Sequence, residues 1–104
     1  MKEMTPAELK QRLDNGEDIE IIDVRETHEH EESNMGGQNI PLYSLLSRME
    51  EVPHDKTVVI HCRSGVRSAS AIVEMERRHN YTNLYNLKGG ILAWAKEVDT
   101  QNSK

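Results

Sequence analysis

One cysteine stands in the 104-residue chain, Cys62, and the run His61-Cys62-Arg63-Ser64-Gly65-Val66-Arg67-Ser68 carries the chemistry. The residues before it, Thr57-Val58-Val59-Ile60-His61, are β-branched and apolar in the manner of a buried, central strand. A strand therefore runs into a six-residue connection, Cys62 to Arg67, and a helical pattern begins at about Arg67 or Ser68. Open α/β sheets bind ligands beyond the carboxyl ends of their strands, which is where Cys62 falls. Backbone N–H groups of a tight loop around Gly65 can converge on one point as an anion cradle. The helix start adds about half a positive charge on the same side, and Arg67 adds a full one. A thiolate is favoured there, so Cys62 is expected to ionise below the free-thiol value of about 8.5. Such a thiolate is a nucleophile for sulfur or phosphorus centres. An inert buried cysteine is the ordinary fate of a lone thiol. Arg63, Ser64, Gly65 and Arg67 argue against it here, because no apolar core would accept them.

The elements that must position this loop can be read along the chain. Thr5-Pro6-Ala7-Glu8 starts a helix, with Thr5 as N-cap, Pro6 at the first helical position and Glu8 completing a capping box. Met4 and Leu9 are spaced as a hydrophobic staple, and Asn15-Gly16 supplies the stop. Ile19 to Val24 reads as a strand, apolar enough to be covered on both faces. Glu26 to Glu32 reads as a loop or short solvated helix, followed by a turn at Gly36-Gly37. A short strand is expected at Asn39 to Leu42, then a helix capped by Ser44 and carrying Leu45, Leu46 and Met49, ended by Pro53. Ser68 to His79 reads as a helix with Ala69, Ile72, Val73 and Glu76 on one stripe and Ala71 and Met75 alongside. Asn83 to Leu87 reads as the last strand. Gly89-Gly90 breaks it, and Ile91, Trp94, Ala95 and Val98 then recur at helical spacing. Strands alternating with helices imply an α/β domain with a mostly parallel sheet wrapped by helices.

Composition bounds the partners. The net charge is −5 and 30% of residues are charged. That balance lacks the basic face which nucleic acid or an anionic membrane surface requires. No apolar run approaches the roughly 18 residues of a spanning helix, and the N-terminal residues have no apolar signal core. A lone cysteine excludes an intramolecular disulfide and a multi-thiolate metal site, and a reducing compartment, the cytoplasm, is expected. With no linker, repeat or low-complexity tract, residues 1–104 read as one domain, with a core at about 5–98 and a polar tail at 99–104.

The loop Cys62-Arg63-Ser64-Gly65-Val66-Arg67-Ser68 resembles the active-site loop of the rhodanese (sulfurtransferase) family. Three further stretches match in the family's order: Ile21-Ile22-Asp23-Val24-Arg25-Glu26, Asn34 to Leu42, and Asn86-Leu87-Lys88-Gly89-Gly90-Ile91-Leu92-Ala93-Trp94. The Asn34-Met35-Gly36-Gly37 form of the second is similar to rhodanese modules appended to E1-like activating enzymes. The resemblance implies a five-stranded sheet with helices on both faces. It also implies a persulfide on Cys62, loaded from thiosulfate or a protein persulfide and passed to cyanide, a thiol or an acceptor protein. No cofactor is required. Arg63, Ser64, Gly65, Val66, Arg67 and Ser68 would form the substrate- and persulfide-binding loop. Arg67 would hold the persulfide, while Arg63 would draw in an anionic donor at the mouth.

Rival readings make different demands. Cysteine-dependent phosphatases place five residues between Cys and Arg, and this chain places four. The missing residue shortens the loop by roughly 3.5 Å, which suits one sulfur atom better than a phosphoryl group. A non-catalytic rhodanese-like binding module has no need of Cys62, and a redox sensor needs a second, resolving thiol. Asp23 and Arg25 are expected to pair and brace the loops beside the site. Alternation turns His61 away from Cys62, as a packed, hydrogen-bonded residue. His28 and His30 stand among Glu26, Glu29, Glu31 and Glu32, which reads as a solvated acidic face rather than a metal site. Trp94, Ile91 and Val98 read as core.

Overall fold

The computed structural model describes residues 1–99; apart from Asp99, the expected polar tail lies outside them. Five strands form one sheet: β1 (Lys2–Met4), β2 (Ile19–Asp23), β3 (Gln38–Asn39), β4 (Thr57–His61) and β5 (Leu84–Leu87). Their order is β1-β5-β4-β2-β3 and every pairing is parallel. β4 is central, as its unbroken β-branched run requires, and Val58, Val59 and Ile60 are wholly buried. Alternation sends Val58, Ile60 and Cys62 into one core and Val59 into the other.

Each core is closed by helices. On the first face lie α3 (Val66–Arg78), through Ala71, Ile72 and Met75, and a 3₁₀ segment, Leu42–Glu51, through Leu45. On the second lie α1 (Pro6–Asp14), through Leu9, and α4 (Gly90–Trp94), through Trp94. The chain continues from α4 as a π-helical turn, Ala95–Asp99, whose Val98 joins the same core. A fully buried Leu or Ile contributes roughly 1.5–3 kcal/mol by leaving water. Among the described residues, no helix is long and apolar enough to cross a membrane.

The start of α1 follows its sequence. Thr5 Oγ1 accepts from the Glu8 amide at 3.1 Å, and the Glu8 carboxylate accepts from the Thr5 amide at 2.8 Å. Met4 and Leu9 meet in one core. The same Met4 also ends β1, a strand that the lead-in to α1 conceals, since two of its three residues are exposed and carry no periodicity.

Other expectations are corrected. β3 is only Gln38–Asn39, because the chain turns at Pro41 into the 3₁₀ segment. Ser44 is not a cap: Pro41 occupies that position, and Ser44 lies inside the turn, its own amide bonded to the Pro41 carbonyl. The buried stripe of α3 is Ser68, Ala71, Ile72 and Met75 rather than one running through Ala69 and Val73. Val73 faces outward, 40% exposed, and Ala95 is exposed too. Ser68 displaces Ala69 from the stripe because its hydroxyl has a buried hydrogen-bond partner in Asn86.

Candidate active site

β4 delivers Cys62 to a short loop that ends at Gly65, the N-terminal flank of α3. Gly65 has φ +107°, a conformation open to glycine at no steric cost. With that reversal, amides at Gly65 and beyond it both face the cysteine. Gly65 N donates to Cys62 Sγ at 3.1 Å and Ser68 N donates at 3.4 Å. The Ser68 hydroxyl lies 3.4 Å from the same sulfur. Cys62 is 1% exposed, so its β-carbon packs in the core while its sulfur sits at the floor of the loop. Burial pushes the thiol's pKa up. The Ser68 hydroxyl and the amides of Ser68, Gly65 and Ser64 pull it down by more, and the net shift is below the ordinary value.

The loop is braced from behind by β5 and α4. Asn86, on β5, donates from Nδ2 to the Gly65 carbonyl at 3.1 Å and accepts the Ser68 hydroxyl at 2.6 Å. The amides of Ile91 and Leu92 donate to the carbonyls of Cys62 and Arg63 at 3.0 and 3.2 Å. This contact is close enough to require a glycine: a β-carbon on Gly90 would stand 2.3 Å from the Arg63 carbonyl oxygen.

The charged residues divide into paired and unpaired. Asp23 is fully buried and takes a forked contact from Arg25, with Arg25 Nη2 at 2.8 Å and Nε at 3.0 and 3.1 Å. Burial raises the Asp23 pKa, but Arg25, its amide and His30 outweigh burial and hold it below the usual value. The expected Asp23–Arg25 brace is present. His30 departs from a solvated face: its Nδ1 lies 2.9 Å from Asp23 Oδ2. His61 is buried, and burial pushes its pKa down. Its Nδ1 has one long contact, 3.4 Å to the Cys62 carbonyl, and its Nε2 has no partner among the described residues, so the expected hydrogen bonding is half made.

Arg67 lies on the first turn of α3, and both terminal nitrogens donate to Glu29 of α2 (Thr27–Glu32), at 2.8 and 3.0 Å. The guanidinium pulls the Glu29 carboxyl down to about 2. Arg63 is exposed and lines a cavity of about 390 Å³ with Arg25, Glu29, Glu32, Ser33, Ile91, Leu92 and Ala95. Among the described residues it forms no ion pair. Glu26, His28 and Glu29 offer ligand atoms within 4.8 Å of one another, but the Glu29 carboxylate is already spent on Arg67. Sequence reasoning assigns no site role to Asn86 or Glu29. Their bonds to Gly65, Arg67 and Ser68 are long-range, and no local spacing announces partners 18 to 38 residues away.

The chain belongs to the Rhodanese-like domain family, whose model matches residues 5–97. It is similar to a protein named "Sulfurtransferase" from Allochromatium vinosum, 36% identical over 97 residues that cover 92% of this chain and 90% of that protein. It is also 36% identical over 98 residues to the "Probable adenylyltransferase/sulfurtransferase MoeZ" of Mycobacterium tuberculosis. That match covers 91% of this chain, which spans only 25% of the MoeZ protein. A rhodanese-like domain protein from Staphylococcus aureus shares the fold with a TM-score of 0.84 at 29% identity, covering 94% of this chain and 95% of that one.

Proposed function

We propose that the chain is a sulfurtransferase that carries sulfane sulfur as a persulfide on Cys62. The observation that carries this reading is the convergence of the Gly65 amide, the Ser68 amide and the Ser68 hydroxyl on one buried sulfur. In the first half-reaction the Cys62 thiolate attacks the outer sulfur of a donor such as thiosulfate. The donor's S–S bond breaks and sulfite leaves with the electron pair, while the terminal sulfur of Cys62–S–S⁻ takes the negative charge. In the second half-reaction a thiophile attacks that terminal sulfur. Cyanide leaves as thiocyanate, a thiol as a persulfide, and the Cys62 thiolate returns. Two half-reactions through a covalent intermediate give ping-pong kinetics. Loop amides aimed at the sulfur stabilise the charge at both stages without reorganising.

The length of the loop favours sulfur over phosphorus. Four residues separate Cys62 from Arg67, one fewer than in cysteine-dependent phosphatases, and the buried carboxylate of Asp23 is held by Arg25 and His30 rather than free to protonate a leaving group. A non-catalytic binding module would have no use for this ordered set of donors. The acceptor we favour is a protein thiol in a reducing cytoplasm. The test is thiocyanate formation from thiosulfate, or from methanethiosulfonate, and cyanide. Activity lost in Cys62→Ser supports the reading, and activity retained in it refutes the reading.

A further inference from the structure

The cations around Cys62 are nearly all cancelled. Arg25 is taken by Asp23, which is fully buried, and by the Ser33 carbonyl at 2.6 Å. Arg67 is taken by both oxygens of Glu29. Arg63 remains, and it shares its cavity with Glu32. The three arginines are thus matched by the carboxylates of Asp23, Glu29 and Glu32, and the Cys62 thiolate adds a further negative charge. A free dianion is poorly received in such a field, because the work of bringing a ligand in scales with its charge.

We propose that Glu29 determines the donor specificity of this site: by neutralising Arg67 it turns the site from small dianionic donors toward sulfane-sulfur donors of lower charge. A persulfide presented by another protein belongs to that class, and thiosulfate does not. The inference rests on the reading of Cys62 as a persulfide carrier. Glu29 acts from outside the reacting atoms. It belongs to α2, whereas the cysteine and the loop lie between β4 and α3, so the charge of the mouth can be set without altering the cradle.

Glu29→Gln isolates the charge. The amide keeps an oxygen to accept from the Glu26 backbone, which Glu29 Oε1 now does at 3.1 Å, so the start of α2 is preserved. Two donors that react alike but differ in charge then read the effect. Thiosulfate is a dianion and releases sulfite; methanethiosulfonate is a monoanion and releases methanesulfinate by the same attack. In Glu29→Gln, kcat/KM should rise about tenfold for thiosulfate and about threefold for methanethiosulfonate, because the logarithm of the gain scales with charge. Alkylation gives a reading independent of sulfur transfer. The ratio of iodoacetate to iodoacetamide rates at Cys62 should rise about threefold, with changes in thiolate fraction cancelling in the ratio. Glu29→Gln combined with Arg67→Met should return both ratios to wild type, which a merely structural role for Glu29 would not do. Sulfur loading with both ratios unchanged in Glu29→Gln overturns the role of Glu29 alone. Absence of sulfur on Cys62 from either donor, in wild type and variant, overturns the persulfide reading and the donor specificity with it.

Discussion

The Ser68 hydroxyl donates to Asn86 Oδ1 at 2.6 Å while its oxygen lies 3.4 Å from Cys62 Sγ. The Gly65 carbonyl fixes the Asn86 amide, since only Nδ2 can donate to it. One hydroxyl proton therefore stands between two acceptors, the Asn86 oxygen and the cysteine sulfur. When Cys62 is a thiol, the proton stays on the Asn86 side. When Cys62 ionises, the thiolate is the stronger acceptor and the hydroxyl can turn to it.

Ser68→Ala should accordingly raise the apparent pKa of Cys62 and slow its reaction with sulfane sulfur by about tenfold, as expected for loss of one preorganised donor at long range. It should also cost about 1–3 kcal/mol of stability by stranding the buried Asn86 oxygen. A pH profile of iodoacetamide alkylation, paired with urea unfolding, separates the two effects. An unchanged pKa would mean that the backbone amides alone hold the thiolate.

Gly90 tests the brace behind the loop. Its φ of +65° and the collision that any β-carbon there would make with the Arg63 carbonyl both oppose a side chain. Gly90→Ala should lose more than about 1 kcal/mol from backbone strain alone and should shift the Arg63 peptide. Because the Ile91 and Leu92 amides hold that stretch, sulfur transfer should fall along with stability. A variant with wild-type unfolding midpoint and wild-type activity would show that α4 does not position the loop.

How much of this is legible in the chain depends on the range of each interaction. The capping box at Thr5 and Glu8, the central β4 run and the placement of Cys62 after it are local signals, and the structure bears them out. The stripe of α3 differs from its apolar spacing because Ser68 is polar, and nothing nearby reveals that Asn86 and Cys62 satisfy it in the interior. β1 is held by its pairing to β5 some 80 residues on rather than by its own composition. The Arg67–Glu29 pair joins α3 to α2 only in three dimensions, so Arg67 reads as a free cation in the sequence.

Acid should expose the Arg67–Glu29 pair. Glu29 ionises at about 2 in the fold against an ordinary 4.5. A carboxyl depressed by folding contributes stability that is fully present above its unfolded value and is lost as pH falls toward the folded one. Between about pH 5 and pH 2 the wild type should therefore lose more stability than Glu29→Gln, by about 1 kcal/mol given the partial exposure of the pair. Urea midpoints across that range make the comparison. Parallel losses in the two proteins would mean that the ion pair contributes nothing to the fold.

The central claim is that Cys62 carries sulfur covalently, and intact-protein mass spectrometry reads this most directly. After incubation with excess methanethiosulfonate or thiosulfate, the protein should gain one sulfur atom, about 32 Da, on its only thiol. Cyanide should remove that mass, and Cys62→Ser should never acquire it. An unchanged mass with both donors, or an adduct that persists in Cys62→Ser, would contradict the assignment of Cys62 as the persulfide carrier.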